Sequence, residues 1–312
     1  MTRYRNLVLF MVLAAVWGSA FMAIKAGLAY FPPVFFAAVR YDIAGLIMLA
    51  YAFYATETPL PRSRADWMEV GVGAVLLIAA YHALLFIGQT DPTVTSAAAA
   101  VIVSLNPVLT TGFAQGLLPD ERLTAVGIVG LLLGLAGVAV LSELDPSNLL
   151  AGGTVAKLLI FGATAAFAFG SVLTRRIDSK MPIETMEAWS MLFGALLMHV
   201  LSVGLGESLA DVVLSTEGIA ALLYLALAAS ALGFLIYFDL LERLGPVEIN
   251  LVSYVAPIFA ALSGWLFLSE VPNASTAGGF ALIFLGFVLL KRDAIRQELR
   301  HQLGGRADRV NE

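Results

Sequence analysis

The chain has 312 residues, of which 60% are hydrophobic and only 13% are charged, and its formal net charge is −5. Soluble domains carry about 25% charged residues, so this chain has too little charge to cover a water-facing surface and is expected to face lipid. Cysteine is absent, which excludes disulfide frameworks, thiolate metal sites and cysteine nucleophiles.

Apolar segments follow one another along the whole chain, joined by short connections. Each is long enough to cross about 30 Å of hydrocarbon as a helix at about 1.5 Å per residue. The first lacks a clear cleavage site and precedes nine others, so a signal peptide is not expected. The sequence predicts an all-α integral membrane protein with ten transmembrane helices at 7–27, 34–54, 67–88, 93–116, 123–141, 154–174, 184–205, 217–239, 246–268 and 274–291.

The basic residues predict the orientation of these spans. If the N-terminus is cytoplasmic, fifteen of the 18 lysines and arginines lie in cytoplasmic segments, as the positive-inside rule requires. Lys25 and Lys157 fall near the outer face, and Arg40 lies within the second span. We therefore expect both termini in the cytoplasm, with residues 292–312 as a basic tail that contacts anionic lipid rather than nucleic acid.

The chain repeats itself after about 150 residues. Pro107 aligns with Pro257, and the segment Trp17–Ser19 aligns with Phe169–Ser171. Each half therefore has about five spans, at 7–141 and 154–291. Because five is odd, the second half must enter the membrane from the opposite side, which predicts inverted repeats about an axis in the membrane plane.

Several segments carry a resemblance to a known family. They are "WGSAFMAIKAG" in the first span, "AAVRYDIAGLIML" in the second, "NPVLTTGFAQGLLPDERLTAVGIVGLLLGLAGVAVL" across the fourth and fifth, and "APIFAALSGWLFLSEVPNASTAGGFALIFLGFVLL" in the second half. The pattern, from about residue 7 to 291, resembles the drug/metabolite transporter superfamily in its EamA branch. One departure is that the second half has Val271 and Pro272 where the first has Arg122 and Leu123.

The resemblance implies a secondary transporter of the plasma membrane, often an exporter of amino acids or related metabolites. It also implies a central cavity lined mainly by helices one, three, four, six, eight and nine. Two alternatives of function stay open: an exporter of cationic drugs with the same fold, and a channel or membrane scaffold. An enzyme is not expected, since the HExxH and GxSxG motifs and any credible catalytic pair of aspartates are absent, and no cofactor or metal is implied.

Polar and aromatic residues inside a span are the first candidates for the substrate cavity, because a polar group costs about 2.5–3.5 kcal/mol at the bilayer centre. The small-molecule substrate needs a few convergent polar groups on an apolar wall. The candidates are Trp17, Lys25, Tyr81, His82, Gln89, Asn106, Phe169, Tyr237, Asn250 and Tyr254.

Two prolines and two acids complete the candidate set. Pro107 and Pro257 lie inside spans at matching positions, which predicts kinked helices that act in gating. Asp42 and Glu248 are the acids that could be drawn into the interior for proton coupling. Coupled transport and facilitated diffusion both remain open.

Three further features have a structural interpretation. Arg40 is expected to snorkel to the outer face or to pair with an acid on another helix. His199 is placed outside the main cavity by the resemblance. The glycines of the fifth span lie on one face for close packing, which predicts either an internal contact or the seam of a homodimer.

Overall fold

The computed structural model describes residues 2–117, 124–142, 152–290 and 292. Its regular elements in these ranges are all helical. We number them α1 Thr2–Gly27, α2 Pro33–Ala55, α3 Arg64–Gln89, α4 Ser96–Leu117, α5 Ala125–Ser142, α6 Gly152–Arg176, α7 Ile183–Gly204, α8 Thr216–Gly245, α9 Val252–Leu268 and α10 Ala274–Leu290.

Each predicted apolar segment overlaps one of these helices. Seven of the helices are long and apolar enough to cross a membrane, whereas α5, α9 and α10 are apolar but shorter. Leucines and valines in the middle of helices are exposed, as for Leu46 at 61% and Val200 at 66%. Such a surface is stable in contact with lipid and not in water.

Local signals in the sequence define where several helices begin. Pro33 occupies the first turn of α2, where its missing N–H costs nothing. Ser63 and Asp66 form a reciprocal capping box at α3, and the side chains of Thr95 and Ser215 cap α4 and α8. These caps satisfy backbone N–H groups that a helix start leaves without partners.

The helices pack in a pattern that repeats between the two halves. Helix α1 packs against α9 and α8, and correspondingly α6 packs against α4 and α3. Helix α3 contacts α7 just as α8 contacts α2, while α2 pairs with α7 and α5 pairs with α10. Exchanging the first five helices for the last five therefore maps the pattern onto itself, as expected for two related halves.

The glycine face of α5 packs within the chain against α10. A Cβ added to Gly137 would lie 2.7 Å from the carbonyl oxygen of Gly279, and one added to Gly279 would lie 2.7 Å from that of Gly137. A Cβ on Gly286 would lie 2.5 Å from the carbonyl oxygen of Gly130. Because the backbones touch here, the face forms an internal contact, one of the two possibilities that the sequence left open.

Helices α3 and α8, which correspond in the repeat, each contain a π-helical segment. These segments are Gly73–Ala80 and Tyr224–Leu232. A π-helical turn widens the helix and changes its hydrogen-bond pattern, and such turns are frequent at functional sites. The two segments therefore indicate that the corresponding parts of α3 and α8 are candidates for a functional site.

The two matched prolines have different surroundings. Pro107 follows a break of two residues, Ser104 and Leu105, that divides α4 into Ser96–Val103 and Asn106–Leu117. Pro257 lies inside the single helix α9. Pro107 is the second residue of the new segment, where a missing N–H is tolerated. Of these two helices, α4 is interrupted near its proline and α9 continues around Pro257.

Candidate functional site

Trp17 joins the first half of the chain to the second at the centre of the fold. Its indole Nε1 donates a hydrogen bond of 3.0 Å to the carbonyl oxygen of Ala229, in the π-helical segment of α8. The indole ring lies 5.5 Å from the ring of Tyr237 and 6.0 Å from that of Phe234. Two of the predicted cavity residues, Trp17 and Tyr237, are thus in contact.

His82 lies on α3 next to this centre and is bonded to α2. Its Nε2 is 2.7 Å from the hydroxyl oxygen of Tyr41, and its Nδ1 is 2.9 Å from the carbonyl oxygen of Ile78. Because a carbonyl only accepts, we assign the proton to Nδ1 and let Nε2 accept from Tyr41. Both ring nitrogens of His82 are therefore occupied by protein partners.

Tyr81, the neighbour of His82, contributes an aromatic wall. Its ring packs edge-to-face on His82 at 4.5 Å and on Phe167 of α6 at 5.1 Å. Tyr224 of α8 closes the opposite side, where its hydroxyl donates to the carbonyl oxygen of Val16 over 3.1 Å. The centre is thus lined by aromatic rings from both halves.

Arg40 contributes a cation to this centre, although it was not among the predicted cavity residues. Its side chain is only 6% exposed, so it does not snorkel to a membrane surface, and among the described residues it forms no ion pair with an acid. Its Nε donates to the hydroxyl of Ser230 over 2.9 Å. We call Trp17, Arg40, Tyr41, Tyr81, His82, Tyr224, Ser230 and Tyr237 the central cluster.

Other predicted cavity residues lie outside the central cluster. Phe169 packs against Phe113 of α4 at 5.4 Å, and Asn106 accepts a bond from Thr110 on its own helix. Asn250 lies in the turn between α8 and α9. The ring of Tyr254 stacks at 4.4 Å against Phe287 of α10.

Two polar candidates lie near the ends of helices. The ammonium of Lys25 donates to the carbonyl oxygens of Asp91, over 3.0 Å, and of Val94. It therefore ties the end of α1 to the connection between α3 and α4. Gln89 is 1% exposed, and neither atom of its amide has a hydrogen-bond partner among the residues that the structure describes.

Carboxylates from the connecting segments bind the starts of other helices. Glu207, before α8, accepts from the backbone N–H groups of Val34 and Phe35 at the start of α2, over 3.0 and 2.8 Å. Glu270, before α10, accepts from the N–H of Ser96 at the start of α4 over 2.8 Å. Each carboxylate complements the positive end of a helix other than its own neighbour.

Asp91 shows the same chemistry outside the spans. Its Oδ1 accepts from the hydroxyl of Thr93 over 2.6 Å and from the N–H of Thr93 over 2.8 Å. The bond from the Thr93 hydroxyl holds the pKa of the Asp91 carboxyl below its ordinary value. The Asp91 carboxyl therefore stays ionised at neutral pH. It lies in the same connection between α3 and α4 whose carbonyl oxygens bind Lys25.

Asp42, one of the two predicted coupling acids, does not join the central cluster. Asp42 lies 2.7 Å from Nε2 of His199 on α7, and the two side chains are 42% and 35% exposed. They lie beside Leu46 and Val200, on the surface that faces lipid. The side chain of Glu248 lies outside the part of the chain that the structure describes.

Related helical halves, a lipid-facing surface and a polar centre are the features of a multi-pass membrane transporter. The profile of the EamA-like transporter family matches residues 5–143 and again 154–292. The chain therefore belongs to this family, as the sequence resemblance predicted, and it is built from two copies of the family's repeat.

The chain is similar to several curated proteins. It is 30% identical to the uncharacterized inner membrane transporter YedA of Escherichia coli, over 80% of this chain and 78% of that one. It is 26% identical to the uncharacterized transporter YvbV of Bacillus subtilis, with 94% of both chains covered. A WAT1-related chloroplastic protein of Arabidopsis thaliana is 28% identical, and this chain spans 66% of its length.

A solved crystal structure has the same fold. It is 23% identical, covers 95% of this chain and 99% of its own, and superimposes with a TM-score of 0.66. At this identity the likeness shows the fold alone. It supports the helical arrangement described above and leaves the substrate to be argued from the central cluster.

Proposed function

We propose that the protein is a secondary transporter of the plasma membrane that exports amino acids or related small metabolites by alternating access between inverted halves. The observation that carries the proposal is the set of bonds across the centre. Trp17 bonds to Ala229, Arg40 to Ser230 and Tyr224 to Val16, each joining the two halves. A site between two related halves can open to either side when one half rocks against the other.

The proposal includes the arrangement in the membrane. Helices α1–α10 form ten spans, residues 7–141 and 154–291 form the inverted halves, and residues 292–312 form a cytoplasmic tail. The shorter α5, α9 and α10 match a thinner part of the bilayer or shift their ends into the interface. The positive-inside distribution supports cytoplasmic termini, and the outer bonds of Lys25, Glu207 and Glu270 then close the external side.

The test is uptake of radiolabelled solutes by purified protein in liposomes. The panel contains amino acids, aromatic amines, nucleosides and sugars, each with and without an imposed pH gradient. We expect amino acids to enter faster than into protein-free liposomes. Selective uptake of aromatic amines would favour a drug exporter, and ion conductance without saturable uptake would favour a channel. Either result would contradict the proposal.

Replacing Trp17 by phenylalanine should reduce transport about tenfold while changing stability by only about 1 kcal/mol. The substitution keeps an aromatic ring but removes one hydrogen bond between the halves, and such bonds in membranes are worth about 0.6–2 kcal/mol. The control is Trp189→Phe, since the indole of Trp189 also donates to a backbone carbonyl, that of Pro59, over 2.9 Å. Equal transport by both variants would remove Trp17 from the site.

Replacing Asp42 by asparagine tests whether this acid couples transport to protons. Its bond to His199 joins α2 to α7 at the lipid surface, so we expect a loss of about 1 kcal/mol of stability and an unchanged response to the pH gradient. His199→Gln should cost a similar amount, and the double variant should cost little more than either. If Asp42→Asn loses the response to the pH gradient and His199→Gln keeps it, the result would support a role of Asp42 in proton coupling.

A further inference from the structure

The central cluster holds a positive charge without a negative partner. Arg40 is the eighth residue of α2, about 10 Å along the helix from its start at 1.5 Å per residue. The side chain is 6% exposed and lies among residues of α2, α3 and α8. In the described part of the chain, no carboxylate lies within 4.0 Å of its guanidinium.

The contacts of Arg40 leave most of its donors unused. Nε bonds to Ser230, and the guanidinium carbon lies 5.0 Å from the centre of the Tyr41 ring. The two terminal nitrogens have no acceptor among the described residues, and they do not belong to the fully enclosed unpartnered atoms. They therefore keep a small accessible surface that an additional acceptor can reach.

The groups around the guanidinium leave its charge unpaired. Tyr41, Tyr81, His82 and Tyr224 all lie within electrostatic range of Arg40, and none of them is a carboxylate. The buried carboxylate of Glu187 on α7 lies within electrostatic range of Tyr41 and Tyr237, but it forms no ion pair with Arg40. A guanidinium removed from water is unfavourable unless an anion pairs with it.

We propose that Arg40 binds the carboxylate of the transported solute, an inference that rests on the transport function proposed above. The planar guanidinium presents two donors that match the two oxygens of a carboxylate. A single cation matches a monoanion better than a phosphate dianion. The carboxylate is therefore the group that Arg40 requires, whereas an amine on the solute is not required.

The remainder of the solute lies against aromatic rings. Trp17, Tyr81 and Phe167 provide apolar faces around the polar centre. Such faces favour an apolar or aromatic body next to the carboxylate. We therefore expect 3-phenylpropionate and phenylalanine to bind, and their amides not to bind.

A structural role for Arg40 would predict a different result. If the bond to Ser230 served only to join α2 to α8, removing the guanidinium would destabilise the empty protein. If Arg40 serves to bind an anionic solute, the Arg40→Gln variant without solute should melt at the same temperature as the wild type or at a higher one. The melting temperature of the empty variant thus separates the two roles.

The experiment is thermal melting of purified protein in detergent, followed by tryptophan fluorescence. The probes are 3-phenylpropionate, phenylalanine, their two amides and inorganic phosphate. We expect the two carboxylates alone to raise the melting temperature of the wild type. Arg40→Gln should weaken their binding at least about 100-fold, and Arg40→Lys, which keeps the charge but not the fork, about tenfold.

Two further variants control for indirect effects. Arg243→Gln removes an arginine that pairs with Asp239 at 2.7 Å and should leave binding unchanged. Ser230→Ala removes the partner of Nε and should weaken carboxylate binding, whereas Ser230→Thr should restore it. Binding by the amides, equal shifts in wild type and Arg40→Gln, or no shift with any carboxylate would each overturn the proposal.

Binding and uptake are measured separately so that the two proposals can fail independently. Carboxylate binding without uptake of any solute into liposomes would contradict the transport function and leave the Arg40 site intact. Saturable uptake of solutes that lack a carboxylate, with no effect of Arg40→Gln, would support the transport function and contradict the Arg40 site.

Discussion

Replacing Gly279 by alanine is expected to destabilise the protein by about 1–3 kcal/mol. The new Cβ would lie 2.7 Å from the carbonyl oxygen of Gly137 and 2.8 Å from Cβ of Leu141. The first of these atoms is backbone, which cannot rotate away, so α5 and α10 must move apart. Because helices in lipid associate through close packing rather than through hydrophobic burial, the separation is costly.

The neighbouring glycine supplies the control. A Cβ on Gly278 would have only Val140 Cγ1 nearby, at 3.8 Å, which is ordinary contact. Gly278→Ala should therefore change stability by no more than about 0.5 kcal/mol, as surface substitutions do. Unfolding in a denaturing detergent, followed by the fraction of folded protein, gives both values. Equal losses at the two positions would show that the backbone contact is not the cause.

The reciprocal contact makes a second measurement informative. Gly137→Ala meets the carbonyl oxygen of Gly279 at the same 2.7 Å, so it should cost about as much as Gly279→Ala. Both substitutions force the same pair of helices apart, and the double variant should therefore cost less than the sum of the two. An additive result would mean that each alanine is accommodated by a separate local change.

Replacing Pro107 by alanine is expected to reduce transport by roughly an order of magnitude and to change stability little. Alanine supplies the N–H that proline lacks, so the carbonyl of Val103 can be bonded and α4 can continue across Ser104 and Leu105. A continuous helix would lose the joint at which its two segments can move. The expected result is slower uptake at equal amounts of folded protein.

Pro257→Ala is the matched comparison for this hinge. Since α9 is already one helix around Pro257, its substitution should lower transport by less than about twofold. Uptake into liposomes, normalised to the folded fraction, measures both. Wild-type rates in both variants would show that neither proline acts in gating, and equal losses would show that the interruption of α4 is not the reason.

The span positions were predictable because length and apolar composition alone determine them. The seam between α5 and α10 was half predictable: the spacing of Gly130, Gly134 and Gly137 indicated a packing face, but not which helix it meets. The π-helical segments were not predictable, since the apolar run at Gly73–Ala80 reads the same as an ordinary helix. The different surroundings of the two prolines were not predictable, because matching positions in the sequence do not require matching backbones.

The site was less predictable than the fold for a related reason. A sequence shows that Arg40, Asp42 and His199 lie within spans, but not which way each side chain points. Arg40 was expected to reach the outer face or to pair with an acid, and it bonds to Ser230 instead. Asp42 was expected inside and lies with His199 at the lipid surface. Residues two apart on a helix face different directions, and only the packing decides which direction is inward.

The contact of Glu207 with α2 has a genetic consequence. Its carboxylate binds the N–H groups of Val34 and Phe35, and a change of side chain at either position leaves those N–H groups in place. Most substitutions at Val34 or Phe35 therefore preserve the contact, whereas a substitution at Glu207 removes it. If Glu207 is lost, a new charged side chain at position 34 or 35 cannot replace it. Suppressor mutations should arise instead in the connection between α7 and α8, where another acid can reach the same helix end.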